Sequence, residues 1–330
     1  MKDIYFNSNY GKLYEDIEGG ESIFYEYNSE YGSINNLFIK KLIPIKLDDH
    51  TNYYDITTPY GYGGPIINNY VEGKKEELVK EYYVEFKKFC KKNNIISEFV
   101  RFHPLFKNEV DFMKIYEVKN LRKTVGTNLA DYDDPFQTEF SKSTRKITRK
   151  ALRNGVSFEV LRAPETVHEF LEIYYSTMDR NDASEYYYFN EDYFNKCVKY
   201  FKENIILVKA IYEGKTIAMG FYFVVNNIIH SHLSGTLSEY LYLSPAYIIK
   251  YATTLWGKEN GYHLIHHGGG TTNDENDGLL KFKSKFGQHT FFDFSIGTKV
   301  WNREVYDILC EEVNADVNGD FFPAYRNLFT

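Results

Sequence analysis

The chain has 330 residues and a formal net charge of −7, with 43% of residues hydrophobic and 26% charged. That length allows about two domains with real cores, and the composition excludes a disordered chain. No apolar run approaches the ~18–20 residues of a membrane-spanning helix, Cys90, Cys197 and Cys310 form no paired motif for a disulfide scaffold or thiolate zinc site, and mild acidity confines any polyanion site to a local patch.

Along the chain, residues 22–27 and 36–45 are β-rich on either side of a turn-forming Tyr31-Gly-Ser-Ile-Asn35. Residues 57–65, dense in Gly and Pro, predict a loop with special backbone angles. Residues 73–93 predict a helix with Leu78, Tyr82, Phe86 and Phe89 on one face. A strand at 98–103 stops at Pro104, and residues 111–129 read as a hairpin. Residues 135–153 read as one helix ended by Asn154-Gly155. The pattern then restarts: a strand at 156–161, helices at 165–178 and 191–202, and strands at 205–212 and 215–225 joined by Glu213-Gly214. A strand at 228–233 precedes a helix opened by Ser244-Pro245 and stopped by Asn260-Gly261. A strand at 263–266, a helix at 277–285 and a strand at 290–301 follow. The start, Met1 to Asn9, lacks the pattern of a secretory signal, so a cytoplasmic protein with reduced thiols is expected. The expected class is mixed α/β (α+β) in two similar halves, residues 1–154 and 155–300. A tail, 301–330, is expected to pack back on the first.

Four motifs carry chemistry. Lys142, Arg145, Lys146, Arg149, Lys150 and Arg153 recur at spacings of three and four with no acid between them, which suits phosphate groups or, equally, a solvated helix face. Tyr60-Gly-Tyr-Gly-Gly-Pro65 offers glycines that let backbone approach a ligand, or a structural turn. Its order is not that of a phosphate loop. His230 and His232 share a strand face without a third metal ligand, so no metal is expected. Phe282-Lys-Ser-Lys-Phe-Gly287 sets a lysine between aromatics, either near developing negative charge or on an amphipathic surface helix. The 31 Tyr and 26 Phe are mostly core by spacing, with Tyr60, Tyr62, Tyr193 and Phe282 standing inside motifs.

The ordered series resembles the FemABX-type aminoacyltransferases, which extend the peptidoglycan precursor peptide. It comprises Arg101-Phe-His-Pro104, the basic helix ending in Arg153-Asn-Gly-Val156, Tyr174-Tyr-Ser-Thr-Met178, Glu191-Asp-Tyr-Phe194, Ile211-Tyr-Glu-Gly-Lys215, His232-Leu-Ser-Gly-Thr236, Leu243-Ser-Pro-Ala-Tyr247, Gly268-Gly-Gly270 and Leu280-Lys-Phe-Lys-Ser-Lys-Phe286. Tyr62-Gly-Gly-Pro65 extends it upstream. The resemblance implies two GNAT-like acyltransferase domains, with mixed sheets flanked by helices. It implies attack of an acceptor amine on an aminoacyl-tRNA ester, without metal or dissociable cofactor. Lys283 takes the place of the family's Phe-Lys lysine, expected to stabilise charge on the ester or the tRNA end. Tyr193 stands at an acceptor-binding tyrosine and His232 where another Tyr can occur. His103 replaces an Asp, as a candidate base. Phe189 stands where the family has Arg, and His266 where Asp can precede the glycines. Tyr60, Tyr62, Gly63, Gly64, Arg145, Arg149, Arg153 and Phe282 complete the expected binding set.

The expected activity is therefore an amide-forming acyl transfer to a nucleotide- or lipid-linked cell-envelope precursor, with the tRNA acceptor end as partner. Two alternatives stand beside it: an acyl-CoA-dependent transfer to an amino sugar of surface polysaccharide, and a non-catalytic carbohydrate-binding relative. The turn Tyr240-Leu-Tyr-Leu-Ser-Pro-Ala246 carries no glycine where an acetyl-CoA enzyme would hold pyrophosphate.

Overall fold

The computed structural model describes residues 2–327. Two short helices, α1 (Ser8–Lys12) and α2 (Glu15–Glu18), precede the hairpin of β1 (Gly20–Ser29) and β2 (Gly32–Leu42). β3 (Tyr54–Thr57), β4 (Ile66–Tyr70), α3 (Lys75–Lys92), β5 (Ile95–Arg101) and α4 (Glu109–Phe112) follow. β6 (Glu117–Asn128) leads to α5 (Pro135–Glu139), α6 (Lys142–Arg153), β7 (Ser157–Arg162), α7 (His168–Arg180) and α8 (Glu191–Phe201). β8 (Ile205–Tyr212), β9 (Lys215–Val225), β10 (Ile228–Thr236), α9 (Pro245–Glu259), β11 (Leu264–Gly268), α10 (Gly278–Ser284), β12 (Phe291–Val300) and α11 (Arg303–Glu312) complete the order. The last three residues of the tail lie outside the described residues.

The chain divides into two compact units, residues 1–121 with 293–330 and residues 122–292. The boundary expected at residue 154 falls inside the second unit. There the aromatic ring of Phe136 on α5 packs edge-on to Tyr251 of α9 at 4.7 Å, and Ala151 of α6 shares a core with Ile248 and Ala252.

In the first unit the strands run β1-β2-β3-β5-β12, with β4 also on β2. The pairs are antiparallel except β3 with β5. Leu78, Tyr82 and Phe86 bury the stripe of α3 that its spacing predicts, against Ile34, Phe38 and Val100. Tyr306, Leu309 and Cys310 of α11, with Tyr325, pack on Ile43 and Ile96. Ile95 joins the α3 core and Ile96 the α11 core, so strand alternation sets the two helices on opposite faces.

In the second unit the strands run β6-β11-β10-β9-β8-β7, antiparallel except β10 with β11. Tyr222 and Val224 of β9 face α9, while Phe221 and Phe223 meet Phe170 of α7 and Phe194 and Phe201 of α8 at 5.7–6.0 Å. Two local expectations are corrected. Residues 111–129 form no hairpin: after the short α4, the chain stays extended through β6, whose far end is paired with β11. The helix expected at 135–153 breaks at the extended Phe140, because Ser141 caps a new helix by accepting from the Thr144 N–H at 3.2 Å.

Candidate functional site

In the second unit, α10 is anchored by Asp277, whose side chain accepts from Leu280 N at 2.8 Å as an N-cap. Its other oxygen accepts from the backbone and hydroxyl of both Thr271 and Thr272 at 2.7–3.1 Å. Those bonds, the Leu280 N–H first, hold the carboxyl well below the usual range. The glycine segment is thus tied to the helix that carries Lys283. Lys283 Nζ donates to Gly269 O at 2.6 Å, and Arg122 donates to Gly270 O at 3.1 Å and Thr272 O at 2.8 Å. Burial, then the Arg122 charge, pulls the Lys283 amine down to about 8. Among the described residues no carboxylate forms an ion pair with it. Phe282 turns the other way, into a ring cluster with Tyr247 at 5.7 Å and Phe286 at 5.1 Å, so it anchors the helix.

Sequence reading missed the lysine beside it. Lys250 of α9 points at β10 and β11, where Nζ donates to Ser231 Oγ at 3.0 Å and lies 3.2 Å from His267 Nδ1. Burial, then the Lys283 charge, lowers it to about 7. The one signal in the sequence is a charge next to the apolar Ile248, Ile249 and Ala252 of the same helix.

Tyr193 and His232 are brought together on the opposite, α7–α8 face. The Tyr193 hydroxyl lies 2.6 Å from His232 Nε2, and Phe189 stacks on Tyr193 at 4.6 Å. His232 also sits 4.9 Å from Phe223 and 5.7 Å from Phe221. Burial, then nearby His230, lowers the imidazole to about 3, so it stays neutral. The Phe at the Arg position and the His at the Tyr position therefore complete an aromatic stack in which Phe189 and Tyr193 are buried and His232 is half-buried. His266 is also buried, with Nε2 at 3.0 Å from Thr124 Oγ1.

The basic helix divides its residues. Thr144, Thr148 and Ala151 are buried and leave Lys142, Lys146, Arg149, Lys150 and Arg153 exposed. Arg145 donates to Gln137 O at 2.7 Å and to Phe140 O, and Arg149 lies 5.4 Å over the Phe136 ring. Arg145 thus fastens α6 to α5. Beside Ser141 at the start of α6, a groove of about 440 Å³ is lined by Lys123, Lys281, Lys285, Glu275 and Phe291.

In the first unit, His103 is fully buried in a ring cage of Tyr5, Phe6, Tyr62 and Phe106, at 4.8–5.6 Å. Its Nδ1 accepts from Leu105 N at 3.2 Å, so the neutral ring carries its proton on Nε2, 3.8 Å from Asp3 Oδ1. The lone pair a base needs is already engaged. Asn108 ties this cage to the glycine loop: it accepts from His103 N at 2.8 Å and donates to Gly63 O and Pro65 O at 2.9 Å. Gly63 N donates to Arg101 O at 2.8 Å. Gly64 has φ +81°, and a Cβ there would lie 2.4 Å from Val100. Tyr60 accepts through its carbonyl from the Tyr10 hydroxyl at 2.8 Å, and Tyr62 packs on Tyr5 and Phe294. Tyr60, Tyr62, Gly63, Gly64 and His103 thus form one connected cluster in which the glycines serve close packing.

The family model of FemAB-like proteins, described as peptidoglycan biosynthesis and recognition, matches residues 62–300. No curated protein matches the sequence. Among solved structures the chain is similar to the crystal structure of FemX, with 12% identity over 93% of this chain and 94% of that one and a TM-score of 0.68. It is similar to L-PGS from Bacillus licheniformis, with 15% identity over 93% and 96% and a TM-score of 0.57. A tandem GNAT protein from the clavulanic acid biosynthesis pathway aligns at 8% identity over 85% and 84%, with a TM-score of 0.52. At such identities the likeness establishes the fold, which is α/β with two GNAT-like units.

Proposed function

The chain belongs to the FemAB-like family, and on that premise we propose that it is an N-acyltransferase joining an aminoacyl group from aminoacyl-tRNA to an amine of a nucleotide- or lipid-linked cell-envelope precursor. The observation that carries this reading is Lys283. It is a half-buried cation that forms no carboxylate ion pair among the described residues, with Asp277 acting on it only as a nearby charge, and it is held beside the glycine segment at the Phe-Lys position. In the reaction, the acceptor nitrogen bonds to the ester carbonyl carbon and the bond to the ribose oxygen breaks. Negative charge grows on oxygen, and an ammonium fixed in a low-dielectric site stabilises it without reorganisation. The groove with Lys123, Lys281 and Lys285, and the exposed Lys142 and Lys146 of α6, suit the phosphodiesters of an acceptor end.

The entry to α9 counts against the acyl-CoA reading. Ser244 is in the left-handed region and donates to Leu241 O, Pro245 has no N–H, and Tyr247 N donates to Ser244 O. That turn keeps few donors for a pyrophosphate. The Phe189–Tyr193–His232 stack, with its two aromatic residues buried, supports an acceptor held by other groups than those of the family's precursor-binding members.

The test is incubation of the purified chain with charged tRNAs and muropeptide or amino-sugar nucleotides, read by mass spectrometry. An amide product is expected, and Lys283→Ala should lower its rate by roughly 10²–10³-fold. A wild-type rate in Lys283→Ala, or saturable acetyl-CoA binding with acetyl transfer, would overturn the reading.

A further inference from the structure

The Gly268-Gly-Gly270 segment lies in the second unit between two charged side chains. β11 ends at Gly268, which the antiparallel register sets opposite Val125 of β6, so the loop that follows runs alongside Arg122 of β6. Charged groups answer its backbone in turn. Gly269 O accepts from Lys283 Nζ at 2.6 Å, and Gly270 O and Thr272 O accept from Arg122 Nη1 at 3.1 and 2.8 Å. From the other side, the N–H groups of Thr271 and Thr272 both donate to Asp277 Oδ2 at 3.0 Å. The glycines fit the space that is left. A Cβ on Gly269 would lie 3.3 Å from Lys123 O and 3.6 Å from Arg122 Cδ, and one on Gly270 only 2.3 Å from Asp277 Oδ1.

Hydrogen bonds from an ionised donor are about twice as strong as neutral ones, and a planar guanidinium fixes direction as an ammonium on a flexible stem does not. One Arg122 nitrogen spanning two carbonyls therefore fixes the bend of the loop between them. Two cations on neighbouring carbonyls repel, so a neutral donor in place of Arg122 would serve the loop's stability better. The charged and titratable groups around Lys283 are Arg122, Asp277, Lys250 of α9 and His267 of β11. Burial first and the Arg122 charge second lower the Lys283 amine to about 8, while Asp277 raises it. Arg122 acts on Lys283 twice, through the loop carbonyls and through its charge.

We propose that Arg122 is a positioning residue for Lys283: it grips Gly270 O and Thr272 O, and so holds Gly269 O where that carbonyl fixes the Lys283 ammonium. What Lys283 does once held rests on the proposed function, and the grip itself does not.

Competitive acetylation tests the grip without any tRNA. Trace acetic anhydride labels the full chain across a pH series, and deuterated anhydride in denaturant completes the reaction. Peptide mass spectrometry then gives the reactivity of Lys283 relative to exposed Lys281. The pH midpoint reads the charge around the amine, and the alkaline plateau reads how firmly the amine is held. The wild-type midpoint should lie near 8. Arg122→Gln should raise the plateau and move the midpoint up, so that reactivity at pH 7 relative to the plateau falls roughly three-fold or more. Arg122→Lys keeps the charge, so its midpoint should stay while its plateau rises. Lys258, whose Nζ donates to Leu129 O and Tyr132 O, is the control and should keep its plateau in both variants. In amide formation, Arg122→Gln should lower kcat roughly 10-fold or more with KM for charged tRNA little changed. An unchanged Lys283 plateau in either variant, a midpoint that fails to rise in Arg122→Gln, or an equal rise at Lys258 overturns the proposal. If Arg122→Gln melts below the labelling temperature, the Lys283 and Lys258 plateaus of Arg122→Lys decide. Shifted labelling with a wild-type amide rate upholds the grip and retires Lys283 from the chemistry. Shifted labelling in a chain that forms no amide from charged tRNA upholds the grip and retires the donor.

Discussion

In the first unit, buried Glu98 receives three hydrogen bonds, from Asn36 Nδ2 at 3.2 Å, Tyr116 OH at 3.0 Å and Trp301 Nε1 at 3.1 Å. Buried Asp55 receives Arg326 through Nε at 2.5 Å and Nη2 at 3.1 Å, and the Tyr325 hydroxyl at 3.2 Å. In the second unit Lys250 and Lys283 have carbonyl, hydroxyl and imidazole hydrogen-bond partners and, among the described residues, no carboxylate ion pair. The overall charge is divided as unevenly. The second unit contains 20 basic and 20 acidic residues, so the whole −7 belongs to the first. Burying a charge costs free energy unless a counter-charge and hydrogen bonds answer it. The first unit answers its buried acids internally and gains a fixed core. The second keeps cations that the proposed transfer would set against a developing oxyanion.

Arg326→Ala breaks the comparison most sharply. It leaves Asp55 buried without its cation and should cost about 3–5 kcal/mol in urea unfolding at pH 8. Burial already raises the Asp55 pKa despite Arg326. Protonation is thus the escape route, and the loss should be smaller at pH 5. An equal loss at both values would mean that packing, not charge, holds the C-terminal segment. The pH dependence of the two units should have opposite signs. Glu98 is pushed up to about 7, chiefly by burial, so its folded form binds the proton more tightly than the unfolded chain. Its contribution is full below about 4.5 and declines by about 3 kcal/mol as pH rises to 7. Lys250 is depressed to about 7, so its contribution recovers as pH rises from 7 toward 10.5. Glu98→Gln should flatten the first limb and Lys250→Met the second, in denaturant titrations at pH 5, 7 and 9. Unchanged limbs would remove the contrast.

Where local signals were strong, the sequence reading and the fold coincide. The strands 205–212 and 215–225 and the helix 245–259 have their expected ends, because apolar runs are bounded there by Glu213-Gly214, Asn226 and Ser244-Pro245. Residues 111–129 read as a hairpin because nothing local distinguishes one long strand from two short ones; the pairing of Asn128 with Leu264 is settled from far along the chain. The same holds for the division at 121 and 293, which depends on Ile43 and Ile96 meeting Leu309 and Tyr325. The Phe282-Lys283 motif singles out Lys283 in the sequence. Ser231, Lys250 and His267 have no such spacing, since three separate elements carry them. Nor does the sequence show that the His103 lone pair is taken by Leu105 N–H or that Tyr193 is closed over by Phe189.

Two glycines with similar backbone angles, one in each unit, give the smallest expected effects. Gly214 has φ +77° in the turn between β8 and β9 and nothing within 4 Å of an added Cβ. Gly64 has φ +81° with Val100 at 2.4 Å from that position. Gly214→Ala therefore measures the left-handed backbone cost alone, about 1 kcal/mol. Gly64→Ala adds overpacking against Val100, for a total of about 2–3 kcal/mol. The excess of the second over the first isolates the close approach of the glycine loop to β5. If Gly64→Ala unfolds no more easily than Gly214→Ala yet loses acyl transfer, the loop's glycines serve a ligand after all, and the first unit holds part of the chemistry now assigned to the second.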